Sequence, residues 1–400
     1  MNVSIVIVGH VDHGKSTLIG RLLYDSENLA GDRIAEIQKL INEYKKRFEF
    51  AYFLDSFEEE LREERTIDTT RVLFKGRNYY TIVDVPGHKE FIKNMLTGAS
   101  HAKVAILVVS APDGIQEQTR RHAFLLHMLG VKHILVVINK MDTINYQKAD
   151  FDRNKEGTAR LLRSLGYSIN TFIPISASEG DNVIQASSRM PWYKGPTLIE
   201  ALDGIEPEKA IERPTRFVVQ DTYSYNHRII TVGRIESGIL RKGDQLLFMP
   251  SGVKGEIEKI LVFPREVDLA QMGDSIGIIM DCQAKRGDVG GHIQFSPISV
   301  CSFLGEVVLL SGELKQGDKY EMKCGTKKIK CLVQKIEERI SSETGEVIEI
   351  NPEQIMENEA ATVVFQTEPL VTERFAEIPE LGRFILARDG ENIGAGVVLK

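Results

Sequence analysis

Nine residues near the start of the chain, Gly9 to Thr17, combine the groups that bind phosphate. They read Gly-His-Val-Asp-His-Gly-Lys-Ser-Thr and lie between an apolar run at residues 3–8 and a segment with apolar residues at helical spacing, residues 18–23. Strand, glycine-rich turn and helix in this order form the setting that a phosphate-binding loop requires. Glycines let successive backbone N–H groups turn toward phosphate oxygens, and the helix adds the positive end of its dipole. We therefore expect this segment to bind a nucleoside triphosphate, with an ordinary glycine-rich turn as the alternative.

Two side chains of this loop have predicted roles of their own. The Lys15 ammonium can reach the β- and γ-phosphates, and the Ser16 hydroxyl is placed to ligate Mg²⁺. The other predicted nucleotide contacts in the loop are Gly9, His10, Val11, Asp12, His13, Gly14 and Thr17.

A second group of candidate residues follows the apolar run Tyr79–Asp84, which we interpret as a buried strand. An aspartate at the carboxyl end of a strand beside a phosphate loop, here Asp84, can hold Mg²⁺ through water. Gly87 can offer its N–H to the γ-phosphate and flip its peptide when that phosphate leaves. A lone histidine is more often structural. In this position we interpret His88 as the group that orients the attacking water.

A long polar segment, residues 24–65, separates these two groups and contains a charged run from Glu58 to Arg65. Such a run is usually a solvated helix face. Here it ends at Thr66, just before a predicted strand at residues 71–75. A polar segment that ends in a threonine suits a switch that becomes ordered when the hydroxyl meets Mg²⁺ and the γ-phosphate. We expect Thr66 to be that ligand and to act in catalysis with Lys15 and His88.

The tetrapeptide Asn139-Lys140-Met141-Asp142 ends another predicted strand. The Asp142 carboxylate can accept from both N1–H and the exocyclic N2 amine of guanine, a pairing that adenine does not offer. Lys140 can lie along the base plane, and Asn139 can tie this loop to the phosphate loop. Asn and Asp are ordinary turn residues, so the order of the motifs carries this prediction. Backbone amides near Ser176 and Ala177 are expected at the guanine O6, which makes GTP and GDP the expected nucleotides.

The elements that must hold these loops alternate along the first half of the chain. Strand patterns at residues 104–109, 133–138 and 172–175, with a helix at 117–129, predict a doubly wound, mostly parallel α/β sheet. From residue 216 the pattern changes to short alternating runs with Gly-Asp turns, which favours two β-barrels. An octapeptide form that begins at Ser237 recurs at Ser311, once in each predicted barrel. The expected domains are 1–208, 211–296 and 297–400.

Composition narrows the class of protein further. The chain has 400 residues and a net charge of −7, which does not suggest a nucleic-acid surface but leaves room for a local basic patch. Its four cysteines form no C-x-x-C pair and are expected to be buried, reduced thiols. No apolar run is long enough to span a membrane and no signal peptide precedes the first strand. The expectation is a cytoplasmic protein.

The motifs together resemble the translation-factor GTPases over essentially the whole chain, and residues 180–183 and 191–196 look like the elongation factor 1-alpha branch. The closer resemblance is to a relative of that branch, the GTPase large subunit of sulfate adenylyltransferase. The segments that carry it are residues 48–55, 66–70, 120–126, 220–223, 228–238, 381–384 and 394–396. This resemblance implies a GTPase whose hydrolysis of GTP is coupled to adenylylsulfate synthesis by a separate small catalytic subunit.

Two other functions stay open on the same motifs. One is an elongation factor 1-alpha/Tu-like translation GTPase that binds aminoacyl-tRNA, and the other is a free-standing regulatory GTPase. Elongation factors usually carry a glycine-rich run where this chain has Asn226-His-Arg-Ile-Ile-Thr231, and this departure counts against tRNA binding. Other departures are Glu64-Arg65 in the first switch, and His10 and His13 where many sulfate-activating subunits have other residues.

Overall fold

A computed structural model describes residues 2–26, 70–84, 102, 104–169, 171–205, 213–225, 228–262 and 265–400. The predicted residues Thr66, Gly87 and His88 lie outside this set. The chain divides into two compact units, Met1–Pro207 with Ser342–Gly345, and Glu208–Ser341 with Glu346–Lys400.

The described part of the first unit contains a six-stranded sheet with the order β2-β3-β1-β4-β5-β6. The strands are β1 (Asn2–Gly9), β2 (Thr70–Lys75), β3 (Tyr79–Asp84), β4 (Val104–Ser110), β5 (His133–Asn139) and β6 (Phe172–Pro174). Only the β2–β3 pair is antiparallel, and all the other neighbours run parallel. This confirms the predicted doubly wound, mostly parallel sheet.

Burial of both sheet faces explains the continuous apolar runs in the sequence. Every residue of β4 is buried, and β5 is buried from Ile134 onward. Parallel strands covered on both faces have this composition because neither face meets water. The carboxyl ends of β1, β4, β5 and β6 lie at one edge of the sheet. Register therefore brings together the loops that the sequence predicts to bind nucleotide.

The α-helices described in this unit are α1 (Lys15–Asp25), α2 (Glu117–Met128), α3 (Lys148–Ser164) and α4 (Leu198–Asp203). Helix α3 was not predicted from the sequence. Its buried residues are Phe151, Asn154, Thr158, Leu161 and Leu162, so the stripe has helical spacing but two of its five members are polar. No helix in the described ranges is both long and apolar enough to cross a membrane.

The second unit contains two closed barrels of six strands. In the first, the order β10-β15-β7-β8-β14-β11 closes through the β10–β11 pair, and in the second β18-β23-β24-β16-β22-β19 closes through β18–β19. The first barrel uses β7 (Arg216–Tyr225), β8 (Arg228–Ser237), β10 (Gln245–Met249), β11 (Val253–Val262), β14 (Ser275–Met280) and β15 (Val289–His292). The second uses β16 (Ser299–Leu309), β18 (Lys319–Cys324), β19 (Lys327–Ile340), β22 (Ala360–Val371), β23 (Arg383–Arg388) and β24 (Glu391–Val398). Two barrels were predicted, and the domain limits 1–208, 211–296 and 297–400 remain proposals.

Short strands complete these barrels. They are β9 (Ile239–Arg241), β12 (Arg265–Val267), β13 (Leu269–Gln271), β17 (Glu313–Lys315), β20 (Val347–Ile350) and β21 (Gln354–Met356). The predicted octapeptide repeat contains β9 in one barrel and β17 in the other. In both copies a glycine at position seven has positive φ, 87° at Gly243 and 89° at Gly317. Each of these glycines donates its N–H at 2.8 Å to a core strand, to Ile257 O and Val333 O respectively, so the repeat is a matched turn.

All four cysteines are free thiols. Cys324 and Cys331 are buried in the second barrel, and burial raises the pKa of each thiol to about 12. Cys282 is half-buried and Cys301 is exposed, so the expectation of buried thiols is wrong for Cys301. Cys301 and Ser302 are both exposed near the start of β16, before the alternation of buried residues that begins at Phe303.

Candidate nucleotide-binding site

The loop between β1 and α1 is closely packed against the sheet edge. A Cβ at Gly9 would lie 2.4 Å from Val108 O, and one at Gly14 would lie 2.5 Å from Asn139 Nδ2. Gly14 also has φ 87° and forms the N-cap of α1 without a side-chain cap. The first N–H groups of the helix are therefore uncapped by a side chain, and no acidic residue occupies the first turn. This geometry suits an anion.

Lys15, the first residue of α1, folds back over this loop. Its Nζ donates to Gly9 O at 3.0 Å and to His10 O at 2.8 Å. The two carbonyls hold the ammonium above the loop that the sequence predicts to bind phosphate. Two backbone carbonyls of the loop thus hold the charge.

The side chain of His13 holds the phosphate loop against β4. Its side chain is buried, and Nδ1 lies 3.3 Å from both Val108 O and Ser110 N. Nδ1 donates to the carbonyl when it carries the proton and accepts from the Ser110 N–H when it does not. Burial lowers the pKa of His13 to about 4, so the ring is neutral at pH 7. A neutral ring adds no charge beside Lys15.

Asn139 joins three loops through one buried amide. Its Nδ2 donates to His13 O at 2.9 Å, and its Oδ1 accepts from Ala177 N–H at 3.0 Å. Its own carbonyl accepts from Ala111 N–H at 2.8 Å. The predicted tie between this loop and the phosphate loop is present in the structure.

Asp142 faces the loop after β6. Ser176 Oγ donates to Asp142 Oδ1 at 2.6 Å, while Met141 N–H donates to Ile175 O at 3.1 Å. One carboxylate oxygen is therefore held by a hydroxyl. Lys140, at the start of the same turn, has φ 62°, which places it in the left-handed region. Asp142, Ser176 and Ala177 thus lie in one place, as the guanine prediction requires.

The candidate metal ligands are described only in part. Ser16 lies in the first turn of α1, and Asp84 is the last residue of β3, paired in register with Ile7 of β1. Both therefore lie at the edge of the sheet that carries the phosphate loop. Only the backbone of Asp84 is described, and Thr66, Gly87 and His88 fall outside the described residues.

Two long-range contacts position the loops of this site and were not predicted from the sequence. Gln118 on α2 accepts from the N–H of Val11 at 3.1 Å, across 107 residues of sequence. Arg21 on α1 donates through Nη1 to Ser178 O at 3.3 Å and through Nε to Asp25 at 2.7 Å. No local pattern predicts the Gln118–Val11 or the Arg21–Ser178 contact, because each depends on how a helix packs on the sheet.

Comparison with known families agrees with this architecture. The family model described as Elongation factor Tu GTP binding domain matches residues 1–208. Elongation factor Tu domain 2 matches residues 229–290, and GTP-eEF1A C-terminal domain-like matches residues 302–399. The fold and the matches define a GTPase with a P-loop domain followed by two barrels.

Individual relatives specify the family. The chain is 41% identical to Elongation factor 1-alpha of Archaeoglobus fulgidus and 42% identical to that of Pyrococcus horikoshii, covering 100% of this chain and 97% of each relative. The chain belongs to the elongation factor Tu and 1-alpha family of GTPases. A crystal structure of sup35 complexed with GDP matches with a TM-score of 0.47 and 24% identity over 100% of this chain and 94% of that one, a likeness too low to add to this assignment.

These relatives overturn the resemblance to the GTPase large subunit of sulfate adenylyltransferase. Full-length relatives at 40–42% identity are named elongation factor 1-alpha, so the assignment to the large subunit of sulfate adenylyltransferase is wrong, as is the small sulfurylase subunit as partner. Several residues that carried the resemblance are core residues, namely Ala123, Phe124, Leu125, Leu126, Ile235, Leu381, Phe384 and Ala395. Core packing is shared by proteins of one fold whatever they bind. The segments 48–55 and 66–69 lie outside the described residues.

Proposed function

We propose that this chain is a translation elongation GTPase that binds aminoacyl-tRNA in its GTP form. The observation that carries the proposal is the match to proteins named elongation factor 1-alpha over the whole chain, both barrels included. A GTP-binding domain alone occurs with many partners, but the barrels carry the partner surface in this interpretation.

The proposed nucleotide site uses the loops described above. Asp142 accepts from the N1–H and N2 amine of guanine, and Ser176 holds the carboxylate that does so. Asn139 keeps the base loop and the phosphate loop at a fixed separation. The remaining proposed contacts come from Gly9 to Thr17, Lys140 and Ala177, with GTP and GDP as ligands.

Mg²⁺ fits the residues available for it. The proposed ligands are the hydroxyls of Ser16 and Thr66, with Asp84 acting through water, and hard oxygen donors of this kind suit Mg²⁺. The described positions of Ser16 and Asp84 at one sheet edge support this set. The bound cation would neutralise charge on the phosphate oxygens.

Hydrolysis proceeds in this proposal by attack of water on the γ-phosphorus. The P–O bond to the β-phosphate breaks, and GDP and phosphate leave. Lys15 and the backbone N–H groups of the loop stabilise the charge that develops on the leaving oxygens. His88 orients the water, and Gly87 offers its N–H to the γ-phosphate. We expect slow intrinsic turnover that a partner accelerates.

Binding of aminoacyl-tRNA can be tested by measuring whether the protein protects its aminoacyl ester from hydrolysis. In an assay of spontaneous deacylation, aminoacyl-tRNA should be protected when the protein holds a non-hydrolysable GTP analogue and should not be protected with GDP. The Asp142→Asn variant gives a specific control, because protection should then require the xanthine analogue. Absence of protection at micromolar protein, with GTP bound, would overturn the tRNA proposal and leave a GTPase with another partner.

A further inference from the structure

The turn that carries Asp142 contains three non-glycine residues in the left-handed region. Lys140 has φ 62°, Asn145 has φ 53° and Tyr146 has φ 58°. Residues other than glycine adopt this region at a cost and keep it only where their surroundings over-determine it. The protein must therefore hold this turn in place from outside.

Tyr146 is the point at which the turn is held. Its N–H donates to Met141 O at 2.8 Å, and its carbonyl accepts from the Trp192 indole at 3.0 Å. Its phenol accepts from Arg189 Nη1 at 2.5 Å, and the guanidinium carbon lies 5.5 Å from the ring centroid. The backbone, the ring and the hydroxyl of Tyr146 each make a contact, and Arg189 contacts both the ring and the hydroxyl.

The same guanidinium reaches the second base loop. Arg189 Nη1 lies 3.0 Å from Glu179 Oε2 and 3.4 Å from Asp181 Oδ2. Nη1 has two protons for three oxygens, so these contacts are shared. The hydrogen bonds to Tyr146 and Glu179, together with the charge of Asp181, raise the pKa of Arg189 further. Arg189 therefore bridges the turn after β5 and the loop after β6.

The carboxylate partners are bonded directly to the residue that holds Asp142. Glu179 N–H donates to Ser176 Oγ at 3.2 Å, and Ser176 N–H donates to Asp181 O at 3.2 Å. Ser176 Oγ in turn donates to Asp142 Oδ1. Only two residues separate Arg189 from Asp142 along this path.

We propose that Arg189 is a positioning residue for guanine recognition, which sets Asp142 by clamping Tyr146 against Glu179 and Asp181. This inference rests on the proposed guanine site. Arg189 is about half exposed, and an isolated surface ion pair contributes little to stability. We therefore expect the network to affect the geometry of the base site more than the stability of the fold.

The measurement is the preference for GTP over inosine triphosphate, whose base keeps the N1–H of guanine and lacks the N2 amine. In Arg189→Gln, a looser Asp142 should lose the contact that only guanine makes. We expect the Kd for GTP to rise about 5-fold and the preference for GTP over inosine triphosphate to fall at least 3-fold, with an unchanged melting temperature. Tyr146→Phe, which keeps the ring and removes the hydroxyl that accepts from Arg189, should shift the preference in the same direction.

Arg153→Gln is the matched control, since Arg153 is an exposed arginine paired with one carboxylate, Asp150, at 2.7 Å on α3. It should leave both affinities within 2-fold of the wild type. An equal loss of both nucleotides in Arg189→Gln, or a result equal to that of Arg153→Gln, would overturn the positioning role. If the wild type shows no preference for GTP over inosine triphosphate, the proposed guanine site itself is wrong. This result is distinct from a failure of the positioning role of Arg189 alone.

Discussion

Asn139 Nδ2 lies 2.9 Å from the carbonyl oxygen of His13, so a side chain at the end of β5 is bonded to the backbone of the phosphate loop. In Asn139→Ala this carbonyl and the Ala177 N–H both lose a buried partner. Unpaired buried groups cost about 1–3 kcal/mol each. We expect GTP and GDP to bind about 10–100-fold more weakly, as measured by titration with a fluorescent GDP analogue.

Asn154→Ala is the control for this variant. Asn154 is also a buried amide, and its Nδ2 donates to Ala111 O at 2.8 Å and Asp150 O at 2.9 Å. It should lower the free energy of unfolding while nucleotide affinity stays within about 3-fold. If both variants weaken GDP binding equally, Asn139 acts through general stability.

Asp142→Asn tests base selection. An amide presents an N–H where the guanine N2 amine needs an acceptor, whereas xanthine has a carbonyl oxygen at that position. GTP binding should fall by at least about 100-fold and binding of xanthosine triphosphate should rise. Asp152→Asn, which alters an exposed carboxylate paired with Lys148, should change neither. A retained preference for GTP in Asp142→Asn would exclude Asp142 from guanine recognition.

His88→Ala tests the group proposed to orient water. Hydrolysis of GTP in single-turnover experiments should slow by at least about 100-fold, a typical effect for a lost acid, base or orienting group. GTP affinity should change by less than about 3-fold, because the proposed role of the side chain is to orient water and not to contact GTP. Hydrolysis at the wild-type rate would show that another residue orients the water.

His13 makes stability depend on pH. Its pKa of about 4 in the folded chain lies below the ordinary value of 6.5, so between these values the unfolded chain binds more protons. The contribution of the neutral His13 ring to the free energy of unfolding is therefore fully present above pH 6.5, and it is lost as the pH falls toward 4. The loss amounts to about 3 kcal/mol from this group.

Denaturant titrations at several pH values, with GDP held constant, would measure this effect. Carboxylates titrate in the same range, so the readout is the difference between wild type and His13→Gln. The variant should show a shallower fall in unfolding free energy between pH 6.5 and 4. Parallel curves would mean that the His13 ring is not held neutral by burial.

An ion pair connects the two barrels of the second unit. Arg216 Nε lies 2.6 Å from Glu373 Oε1, and Arg216 Nη1 donates to Phe295 O at 2.8 Å. The Arg216 side chain is 7% exposed, so Glu373→Gln leaves a buried guanidinium without its counter-charge. We expect the free energy of unfolding to fall by about 1–3 kcal/mol.

Glu266→Gln is the matched control, because Glu266 pairs with Lys259 at 2.6 Å on the surface. Its effect should stay within about 0.5 kcal/mol. Thermal and denaturant unfolding of both variants would compare the pairs. Equal effects would contradict a stabilising role for Glu373.

Local patterns were enough to predict the phosphate loop, the strands of the first sheet and the presence of two barrels. The run Val104–Ser110 is apolar throughout because both of its faces are buried, and the repeat at Ser237 and Ser311 is a turn fixed by a few adjacent residues. Helix α3 was missed because Asn154 and Thr158 interrupt its apolar stripe. Sequence patterns report burial only when the buried residues are apolar.

The sequence by itself determined a P-loop GTPase with two barrels, since its motifs act over a few residues each. The resemblance to the sulfate adenylyltransferase subunit was misleading because it rested partly on core residues such as Phe124 and Phe384, which serve packing. Only the tertiary structure brought Gln118 to Val11 and Arg189 to Tyr146. Contacts between residues 107 and 43 positions apart depend on strand order and helix packing, and no local spacing encodes them.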